Sequence, residues 1–112
     1  MDETKLSTLR KGFLEFLILA VASSAAVYAA DILERLREAA FPTQEGTLYP
    51  LLSRMRREGL LDYEWRESTA GPPRKYYRAT ATGRGELDEF RTYMTSMTSL
   101  IDRLGNEDAP SD

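Results

Sequence analysis

Residues 45–61 read EGTLYPLLSRMRREGLL. With successive residues about 100° apart around a helix, Leu48, Leu51, Leu52, Met55 and Gly59 fall within about 60° of one line, a core stripe. The opposite arc carries Thr43, Gly46, Pro50, Ser53, Arg54 and Arg57, flanked by Tyr49 and Arg56. One side is apolar; the other is basic, hydroxylated and slim. Pro50 has two readings. In a helix that starts at Thr43 it removes the hydrogen bond to the Gly46 carbonyl and kinks the first turns; behind a cap at Thr47 it lies in the first turn at little cost. Gly46 lets the backbone come close to a ligand there, and free amides at a helix start attract phosphate.

Upstream, residues 6–22 are apolar on nearly all sides by their end, from Leu6 and Leu9 to Leu19 and Val21, which predicts a central buried helix. Ser23 or Ser24 is expected to break that helix and cap a second over about 26–39. There Val27, Ala30, Ile32, Leu33 and Leu36 form the buried stripe, and Phe41-Pro42 ends the element. Downstream, Leu61, Tyr63 and Trp65 alternate with Asp62, Glu64 and Arg66, and RKYYRAT at 74–80 is aromatic and basic, so two strands are predicted. The link Ser68 to Pro73, STAGPP, is turn chemistry, and the hairpin's aromatic residues are expected to pack rather than to stack on a ligand.

Thr80 caps a last helix over about 81–104. Its Leu87, Phe90, Met94, Met97, Ile101 and Leu104 repeat at alternating steps of three and four, a seam that calls for a partner helix and hence for self-association. The acidic stretch 105–112, GNEDAPSD, reads as a disordered tail. The domain organisation is therefore 1–80 as a compact unit, 81–104 as a dimerisation helix and 105–112 as tail.

A chain of 112 residues suits one domain. With no cysteine and no histidine, disulfides, thiolate and imidazole metal sites, and imidazole-based triads are excluded. No metal or cofactor is expected, and no enzymatic activity, because no spacing assembles a nucleophile, base and orienting group. The run FLEFLILAVASSAA resembles a signal peptide, but Asp2 and Glu3 spoil a basic start and Glu15 interrupts it. The part left uninterrupted after Glu15 is about half of the ~20 residues a membrane span needs, so a cytoplasmic protein with no membrane partner is expected.

The net charge of −3 argues against an acidic partner, yet its distribution matters more than its sum. Residues 43–85 hold eight basic and five acidic groups, whereas 86–112 hold two and seven. A local positive field acts even on an acidic protein, since salt screens charges beyond about 8–10 Å. Three helices followed by a basic hairpin is the order of a winged helix-turn-helix, whose third helix enters the major groove while the hairpin touches the flanking backbone. The fold class is thus mainly α with a small β-hairpin, a winged helix-turn-helix plus a C-terminal dimerisation helix. The rival reading is a dimeric module that binds a ligand or protein without a DNA role.

EGTLYP, then RREGL, Trp65 and RKYYRATATG resemble the PadR family of bacterial transcriptional repressors. LRKGFLEFLILAVA and the Tyr28 to Leu36 segment are similar in character, so the resemblance spans roughly 6–104. It implies a homodimeric winged-helix repressor on a palindromic operator in double-stranded DNA, released by a small aromatic or drug-like effector. The single C-terminal helix is similar to the shorter subfamily, which pairs through that helix and the first. Carried onto matching positions, the resemblance implies DNA contacts for Thr43, Gln44, Thr47, Tyr49 and Ser53, phosphate contacts for Arg54 and Arg57, and wing contacts for Arg74 and Lys75. Lys11 is a further candidate for reaching the backbone from the first helix. Phe13, Phe16, Phe90 and Met94 are candidate effector lining between first and last helices, or else plain core. Two departures stand out: Val27-Tyr28-Ala29-Ala30 replaces the usual Tyr-Gly-Tyr-like start of helix two, and Pro72-Pro73 occupy the wing tip.

Overall fold

The computed structural model describes residues 1–106. Its elements are α1 (Glu3–Ser24), α2 (Ala29–Glu38), α3 (Glu45–Arg57), β1 (Leu61–Ser68), β2 (Gly71–Ala79) and α4 (Ala81–Asn106). This is the expected winged helix: three helices, an antiparallel hairpin and a long C-terminal helix. Helix α4 continues two residues past the expected end at 104, into the stretch read as tail; the rest of that stretch, 107–112, lies outside the described residues.

One core joins the parts. Leu14, Ile18, Leu19 and Ala22 of α1, Ile32 and Leu36 of α2, Leu48, Leu52 and Met55 of α3, and Leu61, Tyr77 and Ala79 of the hairpin are all buried, with Leu87 of α4 closing one side. Each fully buried Leu, Ile or Met stabilises the fold by roughly 1.5–3 kcal/mol relative to exposure. The α3 stripe lies in this core as its spacing requires, except that Leu51 is half-buried and Gly59 has left the helix.

Helix α2 starts later than its apolar pattern suggests, and no serine caps it. The Ser24 hydroxyl donates back to the Val21 carbonyl at 2.8 Å, so α1 runs through Ser24, and Tyr28 holds the N-cap position without a side-chain bond. Val27, expected inside α2, instead exchanges two backbone hydrogen bonds with Tyr77, at 2.9 and 2.7 Å. Those bonds satisfy the open edge of β2 and tether the start of α2 to the hairpin.

Both α2 and α3 end in the same way. After α3, the Leu60 amide bonds to the Met55 carbonyl and the Gly59 amide to Arg56, with Gly59 at φ 78°. After α2, Phe41 bonds to Leu36 and Ala40 to Arg37, but the left-handed position is taken by Ala40 at φ 60°. This paired closure satisfies last-turn carbonyls and ordinarily uses glycine. Phe41-Pro42 thus follows a stop made one residue earlier.

Helix α3 starts at Glu45 behind Gln44, between the two anticipated starts. Pro50 is therefore its sixth residue, past the first turn, and the Gly46 carbonyl loses its in-helix donor. In the hairpin, Leu61 pairs with Ala79, Tyr63 with Tyr77 and Trp65 with Lys75. Its turn is tighter than anticipated, because Pro72 and Pro73 lie inside β2 and only Thr69 and Ala70 separate the strands. A register irregularity between Arg66 and Ser68 accompanies the prolines, which cannot donate to a ladder and are tolerated at such edges.

Thr80 anchors α4. Its hydroxyl donates to the Gly59 carbonyl at 2.6 Å and accepts from the Gly83 amide at 3.0 Å, which caps α4 on the end of α3. Gly83 lies so close to this corner that a Cβ there would stand 2.1 Å from the Leu60 carbonyl oxygen.

Candidate nucleic-acid interface

Two grooves flank α3, and together they gather most of the candidate contact residues. The first, about 390 Å³, runs between the N-terminal half of α1 and the α2–α3 connection and is lined by Ser7, Arg10, Lys11, Thr43, Gln44 and Thr47 among others. The second, about 540 Å³, lies between the outer face of α3 and the hairpin and is lined by Tyr49 and Ser53 from α3, Trp65 from β1, and Arg74 and Lys75 from β2. Tyr28, just ahead of α2, and Tyr77 complete it.

In the first groove the start of α3 is held by a residue that sequence inspection did not single out. Arg10 donates to the Pro42 carbonyl at 3.2 Å, and its guanidinium lies 4.2 Å from the centre of the Phe41 ring. That contact pins the α2–α3 connection to α1, beside the free amides of the α3 N-terminus. Thr43 is half-buried and donates to the Phe41 carbonyl at 3.3 Å, whereas Gln44, Thr47 and Lys11 are exposed.

In the second groove cations lie over rings. The Lys75 ammonium is 4.6 Å from the Tyr63 ring centre and 5.4 Å from that of Trp65, and the Arg74 guanidinium is 4.6 Å from that of Tyr28. Neither forms an ion pair with a described residue. Trp65 is 62% exposed, so the expectation that the hairpin aromatics pack holds for Tyr77 and fails for Trp65. The hairpin outruns the core, and the alternation that puts Leu61, Tyr63 and Trp65 on one face cannot tell how far along it burial extends.

Arg54 and Arg57 line neither groove. Arg54 donates to Glu58 at 2.9 Å and reaches Glu15 of α1 at 3.5 Å. Arg57 is exposed and without an ion pair to any described residue. Arg56 lies over the Tyr63 ring at 4.6 Å, where it braces α3 against β1.

Of the four residues named as effector lining or core, the three phenylalanines meet where α1 packs against α4. The Phe16 and Phe90 rings are stacked, with centres 3.8 Å apart and planes 6° from parallel, and Phe13 stands edge-on to Phe90 at 5.4 Å. Met94 is half-buried further along α4. In a single chain these rings fill one another's space. Beyond them the α4 seam emerges into solvent: Met97 is half-buried, Ile101 is 70% exposed and Leu104 58%.

Among the described residues no cluster of acidic side chains could hold a metal ion, and no helix is long and apolar enough to cross a membrane.

Comparison with known proteins gives the same outline. A model of the transcriptional regulator PadR-like family matches residues 18–89. The crystallised PadR-like transcription factor of Bacteroides fragilis is 43% identical, with 92% of this chain and 99% of that one aligned at a TM-score of 0.79. A PadR family regulator from Eggerthella lenta aligns at 0.82 with 30% identity, over 94% of this chain and 92% of its own. Transcriptional regulator Rv3488 of Mycobacterium tuberculosis is 39% identical over 84 residues, 75% of this chain and 78% of that protein. With its four helices, its hairpin and its basic third helix, this chain belongs to the PadR-like family of transcriptional regulators.

Proposed function

We propose that the protein acts in the cytoplasm as a homodimeric repressor that binds a palindromic operator in double-stranded DNA through α3 and the hairpin. The observation that carries this reading is the partition of eight candidate residues into two grooves on either side of α3: Lys11, Thr43, Gln44 and Thr47 in one, Tyr49, Ser53, Arg74 and Lys75 in the other. A recognition helix in the major groove has a phosphate ridge on each side, and these residues offer cations, hydroxyls and amides to both.

The slim start of α3, with Gly46 and Pro50, keeps bulk away from the base edges. Arg57 supplies an unpaired cation as the last residue of α3. The exposed Ile101 and Leu104 and the half-buried Met94 and Met97 form the surface on which a second copy pairs, assisted by Leu6 and Leu9 of α1, which are 39% and 47% exposed. Pairing sets two recognition helices about one DNA turn apart, roughly 34 Å, and a twofold protein reads a palindrome. Release by a small aromatic effector acts at Phe13, Phe16, Phe90 and Met94, where the two copies meet and a shift of α1 against α4 alters the spacing of the recognition helices.

Footprinting on DNA upstream of the protein's own coding region, with affinity measured over a range of salt, tests the reading. The expected result is protection of two half-sites one turn apart and a log–log salt slope of about −0.9 per phosphate contact. Absence of protection, or an affinity indifferent to salt, would leave a dimeric module with another partner as the better account.

A further inference from the structure

We infer that Tyr28 is a positioning residue for operator binding, one that, on the proposed DNA reading, holds the Arg74 guanidinium ready for a phosphate and fixes the lean of the hairpin against α2. The chain enters α2 through Val27 and Tyr28, and both are tied to β2. Val27 exchanges two backbone hydrogen bonds with Tyr77, at 2.9 and 2.7 Å, which carries the ladder of β2 one step onto this segment. Tyr28 is extended, with φ −95° and ψ 163°, and holds the N-cap position with no side-chain bond to the helix. A serine or aspartate there would cap α2; the tyrosine does not, and its ring serves the hairpin instead. That half-buried ring lies edge-on to Tyr76, with centres 5.4 Å apart, and the Arg74 guanidinium lies over it at 4.6 Å.

Arg74 needs such a hold. Arg66 stands directly across the strands from it, and like charges in opposed positions repel. Glu64 neutralises Arg66, whose Nε donates to it at 2.8 Å, and Arg66 also lies 4.6 Å from the Tyr76 ring centre. Arg74 has no ion pair with a described residue; what engages it is the Tyr28 ring.

That difference decides what Arg74 can offer DNA. A carboxylate occupies the N–H groups of a guanidinium, as at Arg54, whereas a ring engages the charge and leaves the N–H edges open for a bidentate phosphate contact. Arginine has many rotamers, and ordering it before DNA arrives lowers the entropic cost of binding. Tyr28 and Arg74 line one groove with Tyr49 and Ser53, so the cation is presented on the flank of α3.

The test measures Arg74 order and duplex affinity on the full chain. Nitrogen relaxation at the arginine Nε positions is recorded for the free protein. A duplex from the region upstream of the protein's own coding sequence is then titrated at several salt concentrations. The expected result is an ordered Arg74 Nε–H in the parent and in Tyr28→Phe, beside a mobile Arg57, and a mobile Arg74 in Tyr28→Leu. Duplex affinity should fall about five- to tenfold in Tyr28→Leu with an unchanged salt slope, because each phosphate contact is still made, and less than about twofold in Tyr28→Phe. Arg74→Gln alone should flatten the slope by about 0.9. Added to that variant, Tyr28→Leu should cost less than about twofold more, since the group it positions is already gone. Slow exchange of the Val27 and Tyr77 amides verifies that the variants fold.

An Arg74 as mobile as Arg57 in the parent overturns the inference without any variant. So does a loss in Tyr28→Leu that is equally large beside Arg74→Gln, which is what a merely structural role requires. A parent that binds no duplex removes the repressor reading and this inference together, whereas duplex binding that Tyr28→Leu leaves intact removes this inference alone.

Discussion

Arg54 on α3 is bonded at once to Glu58, the C-cap of the same helix, and to Glu15 on α1, 39 residues away in sequence. A guanidinium held between two carboxylates must leave at least one of them to meet a phosphate, whereas Arg57 has none to leave. Arg57→Ala is therefore expected to weaken operator binding more than Arg54→Ala, by about three- to tenfold at low salt, and to lower the salt slope by about 0.9. Glu15→Ala frees one arm of Arg54 and should tighten binding about twofold. Unfolding should shift by less than about 1 kcal/mol in each case, because the pair is partly exposed. Fluorescence anisotropy at two salt concentrations, beside urea titrations, checks all three.

The end of α2 carries strain that one substitution can relieve. Ala40 sits at φ 60° in a closure that glycine makes without steric cost. A left-handed L-residue costs roughly 1–2 kcal/mol, and glycine gives part of that back as unfolded-chain entropy, so Ala40→Gly should raise the unfolding free energy by about 0.5–1 kcal/mol. A parallel shift of the urea midpoint with unchanged slope is the expected record.

Two glycines of α4, two residues apart, should answer an added methyl oppositely. At Gly83 a Cβ meets the Leu60 backbone oxygen at 2.1 Å, so Gly83→Ala must pry α4 from the α3–β1 corner, at a cost of about 3 kcal/mol. At Gly85 nothing lies within 4 Å, and Gly85→Ala gains helix propensity worth up to about 1 kcal/mol. Thermal unfolding of the two single variants, monitored by circular dichroism, should move in opposite directions.

Association should depend on the far half of α4. Ile101→Lys puts a charge on a seam position that is 70% exposed in one chain, so it spares the monomer fold while opposing the pair. Sedimentation equilibrium is expected to show a dimer for the parent and a monomer for the variant at micromolar concentration. The parent's melting temperature should rise with concentration and the variant's should not. Operator affinity should fall at least tenfold with the loss of the second half-site.

Alkaline pH should destabilise the fold through Tyr77. Burial raises its phenol above the ordinary 10.0, so above about that pH the unfolded chain loses a proton that the folded one keeps. This contribution is fully present below pH 10 and declines as pH rises toward the folded value. Stability measured from pH 9 to 11 should fall less steeply in Tyr77→Phe than in the parent.

Much of this molecule is legible one residue at a time, because a helix repeats every 3.6 residues and a strand every two whatever surrounds it. That regularity places Leu48, Leu52 and Met55 in the core, pairs Tyr63 and Trp65 on one hairpin face, and marks Thr80 as a cap. The ordered succession of helices and basic hairpin suffices for the fold class. Other features depend on groups that periodicity does not connect. The Val27–Tyr77 bridge, the left-handed Ala40, the Arg54–Glu15 contact and the near-collision of Gly83 with Leu60 each join or bend segments according to where the packed core leaves them. The α3–hairpin cleft belongs with these, since its rings come from residues as far apart as Tyr28 and Tyr77. Repeating patterns report local backbone geometry, whereas partners distant in sequence are chosen only when the helices pack and the space between them takes its shape.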